Sequence, residues 1–249
     1  FLTRTELMIK PAERQNSNAL AREDQAIHAW YRFVLSYPPH LVRKYLNLFD
    51  LRKTSVVFDP FCGTGTTLVE SQKQGLHSIG VDAHPLAAFI SKVKTHWSVP
   101  LTQIEKVRSK IISHASSEQR DHGLYDLSLR HFFIEDKRAC YTDENMLSEE
   151  EQKLIPTGFL SPFPLRRLLL LRGCIHKACR NATDDIKDFF DLALCHVIAN
   201  GAGNFAFGPE IYRTKPKPDY DVLGHFAEQT SVMINDLKAI ADMDASSRE

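Results

Sequence analysis

The chain has no apolar stretch approaching the roughly 18 residues of a membrane span. Its longest candidate, around Leu168 to Leu171, is flanked by Arg166, Arg167 and Arg172. It has no excess of either charge: Lys plus Arg equal Asp plus Glu at 31 each. No global basic field therefore marks it for nucleic acid, although charge can still be concentrated locally. The cysteines Cys62, Cys140, Cys174, Cys179 and Cys195 are odd in number and scattered. That excludes a secreted disulfide scaffold and points to a reducing cytosol. No signal-peptide pattern and no internal repeat is visible. What is present is 43% hydrophobic content over 249 residues, enough for a real core in one domain or one and a half.

One run carries chemistry. The apolar residues Ser55-Val56-Val57-Phe58 lead into Asp59-Pro60-Phe61-Cys62-Gly63-Thr64-Gly65-Thr66-Thr67, and Leu68-Val69-Glu70-Ser71 then reads as helix. Strand, glycine turn and helix together let a backbone approach a polar cofactor, because glycine tolerates positive φ and the helix start offers free N–H groups. A dinucleotide fingerprint needs a third glycine three residues after Gly65, where Leu68 stands. A phosphate-binding P-loop needs Gly-Lys-Ser/Thr, and no lysine follows Gly65 until Lys73.

Two carboxylates narrow the ligand. Asp59 ends the first strand, where it can accept loop amides or meet a cationic group. A second apolar run, Ser78-Ile79-Gly80-Val81, ends in Asp82. A carboxylate about 20 residues past a glycine turn, at the tip of the next parallel strand, can accept ribose hydroxyls. A nucleoside without pyrophosphate fits this set, and S-adenosylmethionine is such a molecule.

At these residues the chain resembles the DNA amino-methyltransferases, which modify adenine N6 or cytosine N4. Asp59 to Thr67 is similar to that family's motif I, and Asp82-Ala83-His84-Pro85-Leu86-Ala87 to its second acidic motif. The segment from Trp30 to Val42, with Tyr37-Pro38-Pro39 at its centre, resembles the motif X that precedes motif I. The resemblance covers about residues 28–97. It implies S-adenosylmethionine as cofactor, held by Tyr37, Pro38, Pro39, Asp59, Pro60, Phe61, Cys62, Gly63, Thr64, Gly65, Thr66, Thr67, Asp82 and Ala83. Motif X packs near the methionyl end. Cys62 reads as a small residue in a tight turn rather than a nucleophile.

The expected fold is α/β and helix-rich: a partial Rossmann-like class I methyltransferase sheet with few parallel strands and a largely helical insert. Residues 1–16 read as an arm. Leu20, Ile27, Trp30 and Val34 recur at helical spacing and predict a helix over about 18–35. A second helix runs from His40 to Phe49. Strand 55–59, helix 66–74, strand 78–82 and helix 85–96 follow, making residues 17–100 the cofactor-binding part. Residues 101–220 read as the insert, a possible target-recognition region, with helices at 101–118, 163–181 and 184–200. Between the first two lies a polar stretch carrying Asp143, Glu144 and Glu149 to Glu151. The run Gly201 to Pro209 reads as loop. Prolines deny helix to Arg213-Thr214-Lys215-Pro216-Lys217-Pro218. A last helix begins near 221.

The family's catalytic Asp/Asn/Ser-Pro-Pro-aromatic motif is missing. Tyr37-Pro38-Pro39-His40 has the wrong order, and Ser161-Pro162-Phe163-Pro164 sits at a helix start, where proline is welcome. The chain is thus expected to be the N-terminal portion of a longer methyltransferase, inactive alone, with residues 221–249 leading to the catalytic half and no catalytic residue assigned. Double-stranded DNA is the expected partner, beside a cognate restriction endonuclease or a second methyltransferase subunit, in the cytoplasm and away from membranes. Arg213, Lys215 and Lys217 are candidate phosphate contacts. Arg166, Arg167, Arg172, Lys177 and Arg180 read first as a solvated helix face. Cys174, His176 and Cys179 at helical spacing do not converge on a metal. Two other readings stand: an RNA base methyltransferase, and a catalytically silent binding or specificity subunit of a split restriction–modification system.

Overall fold

A computed structural model describes residues 20–33, 35–121, 147–208 and 210–246. The expected arm, Val34, Cys140, Asp143, Glu144 and Pro209 lie outside the described residues. The contacts divide the chain into two units at Thr95 and His96. It is a helix-rich α/β chain with a short parallel sheet. No helix among the described residues is long and apolar enough to cross a membrane.

In the first unit, α1 (Pro39–Leu48) is followed by β1 (Val56–Asp59), α2 (Thr66–Lys73), β2 (His77–Gly80) and α3 (Pro85–Thr95). Proline at the start of α1 suits a position whose N–H has no helical partner. β1 and β2 pair in parallel, with Val56 opposite His77 and Asp59 opposite Gly80. Among the described residues the sheet has these two strands, and β1 pairs there on one side. Alternation sends Val57 and Asp59 inward, while Val56 is 56% and Phe58 61% exposed.

The helix expected over 18–35 does not form. Two short 3-10 turns, Arg22–Asp24 and His28–Trp30, take its place. They are separated by Ile27, whose φ of +67° no right-handed helix can contain. The apolar spacing was real, since Ile27 and Trp30 are buried, but an irregular chain buries them.

In the second unit, α4 (Leu101–Asp121), α6 (Pro162–Cys179), α7 (Asp184–Val197) and α8 (Val222–Ser246) pack against one another. Ile104, Ile111 and Ala115 form the inner stripe of α4, and Leu171, Ile175, Phe189, Phe190 and Phe226 fill the centre. Arg108 of α4 ties to α8, donating to Thr230 Oγ1 at 2.8 Å and to the Ala227 carbonyl at 2.7 Å. The acidic stretch holds a short α5 (Glu149–Leu154), opened by a capping box between Ser148 and Glu151.

The run read as loop from Gly201 is more ordered than expected. α7 closes in a π-turn, Ile198–Ala202, and β3 (Phe205–Phe207) pairs antiparallel with β4 (Ile211–Arg213). Glycines on either side of Phe205-Ala206-Phe207 disguise a short strand whose partner is only a turn away.

Candidate functional site

The glycine turn is held between its two aspartates. The ladder continues past β1, with Val81 N–H donating to Asp59 O at 2.9 Å and Cys62 N–H to Val81 O at 3.0 Å. Asp82 Oδ2 accepts Gly63 N–H at 2.9 Å, and Oδ1 accepts His84 N–H at 2.8 Å. Asp59 Oδ1 accepts Phe61 N–H at 3.1 Å. Each carboxylate oxygen retains a further lone pair. The sequence brings Asp59 and Asp82 to adjacent strand tips because β1 and β2 are parallel and in register there.

Glycine is required at two positions for different reasons. Gly65 caps α2 at φ +83°, and a Cβ there would lie 2.9 Å from Ser91 Cβ on α3. Gly80, which sequence reasoning did not single out, lets β2 pass the turn: a Cβ would lie 2.6 Å from Leu68 Cδ1 and 2.9 Å from Cys62 Cβ. By contrast, nothing lies within 4 Å of a Cβ built on Gly63. Open space thus faces the backbone at the loop's centre. Thr64 is 2% exposed, and its hydroxyl has no hydrogen-bond partner among the described residues. A buried hydroxyl left unmatched is uncommon and calls for a partner.

Cys62 is buried, with Sγ 3.8 Å from Ser91 Oγ, and burial pushes its thiol pKa up. That suits a packing role rather than a thiolate. Phe61 is 83% exposed, and Pro60 and Ala83 are also at the surface. Thr66 is buried as the first residue of α2.

Tyr37 reaches the same loop from the preceding segment. Its hydroxyl donates to Asp59 Oδ2 at 2.9 Å and lies 2.6 Å from Thr67 Oγ1. With its proton committed to the carboxylate, it accepts from Thr67. Burial, and then Asp59, push the phenol pKa up to about 12 against the opposing Thr67 bond, so it stays protonated. Pro38 and Pro39 are buried at the entry to α1. Beside Tyr37, between α1 and β1, opens an apolar cavity of about 460 Å³ lined by Leu41, Tyr45, Phe49, Val56 and Thr67.

A buried ionic cluster anchors the irregular segment that carries Tyr37. Glu70 of α2, fully buried, accepts from His28 Nε2 at 2.7 Å, Arg43 Nη1 at 2.9 Å and Lys73 Nζ at 3.0 Å. Arg43 also reaches Asp24 at 2.7 Å. Burial would raise the Glu70 pKa, but His28, Arg43 and Lys73 outweigh it and keep the carboxylate ionised. Burial lowers the His28 pKa, so a neutral imidazole donates through Nε2–H. Lys94 of α3, 1% exposed, donates to the Tyr31 carbonyl at 3.2 Å, and burial lowers its pKa to about 7. Sequence reasoning missed this cluster, in which His28 and Glu70 alone lie 42 residues apart.

The basic residues of the second unit sort differently from expectation. Arg167 is no part of a solvated face: it is 4% exposed and forks onto Asp219, Nε to Oδ1 at 2.9 Å and Nη2 to Oδ2 at 3.0 Å. Arg172 pairs with Glu151 at 2.7 Å. Arg213 and Lys215 are exposed, whereas the Lys217 ammonium donates to the Gly201 and Gly203 carbonyls. Ser161 precedes α6, and its hydroxyl accepts from Asn204 Nδ2 at 2.9 Å. Cys174 and Cys179 are buried, and His176 is exposed.

A DNA methylase family model matches residues 9–92. The type II methyltransferase M.BsoBI of Geobacillus stearothermophilus is 30% identical over 107 residues, 42% of this chain and 21% of that protein. M.MvaI of Kocuria varians is 26% identical over 192 residues, 76% of this chain and 37% of that one. M.MjaII of Methanocaldococcus jannaschii is 22% identical over 170 residues, 64% and 29% of the two chains. The chain therefore spans between about a fifth and just over a third of the length of these relatives. No solved structure matches it. Over residues 9–92 the chain is thus similar to the DNA methylases of the N6/N4 amino-methyltransferase class.

Proposed function

We propose that the chain is the S-adenosylmethionine-binding part of a cytoplasmic DNA methyltransferase that acts on the exocyclic amine of adenine or cytosine. The observation that carries this reading is the turn slung between Asp59 and Asp82, with open space at Gly63 and an unmatched hydroxyl on Thr64. Asp82 has acceptor capacity left for ribose hydroxyls. Asp59, fixed by Tyr37, sets a negative charge for the cationic end. Tyr37 with Pro38 and Pro39 walls the methionyl side; Pro60 to Thr67 and Ala83 line the rest. The residues present fit the cofactor by charge, by space and by hydrogen-bonding capacity.

Bound there, S-adenosylmethionine supplies an electrophilic methyl on a sulfonium. The chain's own contribution is placement, which makes transfer effectively intramolecular. The target base must leave the duplex, at a cost of a few kcal/mol. The Pro-Pro-aromatic loop that would receive it is not in this sequence. In this reading residues 17–100 hold the cofactor within a Rossmann-like sheet, 101–220 form a target-recognition insert, and 221–249 lead toward a catalytic half. The methyltransferase works beside a cognate endonuclease or a second subunit.

Calorimetry tests the cofactor assignment. Asp82→Ala is expected to weaken S-adenosylmethionine binding by at least roughly tenfold, the scale of one lost charged hydrogen bond. The far-ultraviolet spectrum should be unchanged. Undiminished affinity would overturn the assignment. Offered a labelled methyl donor and duplex DNA, this chain alone should turn over nothing; robust transfer would place the catalytic groups within it.

A further inference from the structure

A ribbon of three residues per strand cannot hold its own shape, since even a full hairpin is marginal in water. The β3–β4 ribbon is nonetheless pinned at its base. Asn204, 1% exposed, donates its backbone N–H to Phe159 O at 2.7 Å and its side-chain amide to Ser161 Oγ at 2.9 Å and Gly158 O at 3.3 Å. Its side-chain oxygen accepts Lys217 N–H at 2.9 Å, and its carbonyl accepts Thr214 N–H at 2.8 Å. Lys217 Nζ closes onto the π-turn carbonyls, and the Arg167–Asp219 fork lies two residues further on. Phe205 stacks on Phe159 with ring centres 5.7 Å apart. A buried network this completely satisfied makes its surroundings rigid.

What this base presents is exposed. Ile211 is 58% and Tyr212 55% exposed, and beside them are exposed Lys215 and Arg213, whose side chain crosses Gly158. Pro216 and Pro218 keep the next residues extended. Tyr212 and Arg213 would suit either kind of interface, but Lys215 beside them is of a type depleted where proteins bind proteins. A two-stranded β-ribbon has the width of the major groove, and Arg, Lys and Tyr are the side chains that meet phosphate and sugar oxygens.

We infer that the β3–β4 ribbon is a duplex-DNA contact, with Arg213 and Lys215 on backbone phosphates and Tyr212 on the adjoining backbone. For the kind of partner this rests on the DNA-methylating reading. Lys217 is excluded from the contact, because its ammonium is already bound to two carbonyls.

The test is fluorescence anisotropy of the full chain with a labelled 30-base-pair duplex at several salt concentrations. S-adenosylmethionine affinity is measured in the same preparations. Arg213→Gln with Lys215→Gln should weaken duplex binding roughly tenfold or more and lower the salt slope by about 2. Cofactor affinity should not move. Lys215→Gln alone, on the extended segment, should lower the slope by about 1 and guards against a folding defect at β4. Tyr212→Ala should weaken binding a few-fold without changing the slope. An unchanged slope and affinity in the double variant would overturn the ribbon contact, as would a wild-type chain that binds no duplex. The cofactor reading is scored separately, by calorimetry on the same samples.

Discussion

Phe58 and Phe190 are the same residue on two regular elements, yet Phe58 is 61% exposed and Phe190 is fully buried. The difference lies in how each unit satisfies its elements. Four helices can cover one another's apolar stripes, and in the second unit α4, α6, α7 and α8 do so. A parallel sheet needs cover on both faces. α2 packs on one face of β1 and β2, while Val56, Phe58 and Ile79 stay open on the other. Among the described residues, one unit covers its own core, while the other does so only around its turn.

Mutations can break or sharpen this contrast. The largest effect belongs to Phe190→Ala, expected to cost about 3–5 kcal/mol in urea unfolding, as for other buried aromatics. A loss under 1 kcal/mol would mean the helical core is loosely packed. Next comes Gly65→Ala, which puts a side chain at φ +83° and against Ser91. It should cost about 1–3 kcal/mol and weaken S-adenosylmethionine binding with it. Normal stability and affinity together would show that the turn can relax.

Lys94 gives a pH test. Its folded pKa of about 7 lies below the ordinary lysine value of 10.5, because burial disfavours the charge. Between those values the unfolded chain binds more protons, so stability should rise with pH from about 7 to about 10.5. The slope is at most about 1.4 kcal/mol per pH unit. Lys94→Met should flatten that rise, and an identical profile in the variant would sink the assignment. The smallest effect is Phe58→Ser, expected within about 0.5 kcal/mol of wild type, as for other exposed sites. A large loss there would show that the open face is covered in solution.

The turn and its second aspartate were legible because their signals are local: two glycines, a strand before them and a carboxylate after the next strand. Most helices of the second unit were legible through their apolar period. What escaped is pairing over distance. Nothing near Glu70 in the sequence announces His28 and Arg43, and Arg167 looks like a surface arginine until Asp219 is brought to it. The first helix failed because apolar spacing specifies burial, and Ile27 achieves burial with a left-handed backbone. Lys217 looked like Arg213 and Lys215 because charge alone does not reveal which ammonium meets a carbonyl.

The outer edge of β1 bears on how the protein behaves as a colloid. Strand backbone that is unpaired among the described residues, beside exposed Val56 and Phe58, is a template for strand addition. With a formal net charge of zero and an isoelectric point near 7.3, little long-range repulsion opposes that pairing at neutral pH. Solubility should therefore pass through its minimum close to physiological pH. Light scattering should fall as the buffer is moved to either side.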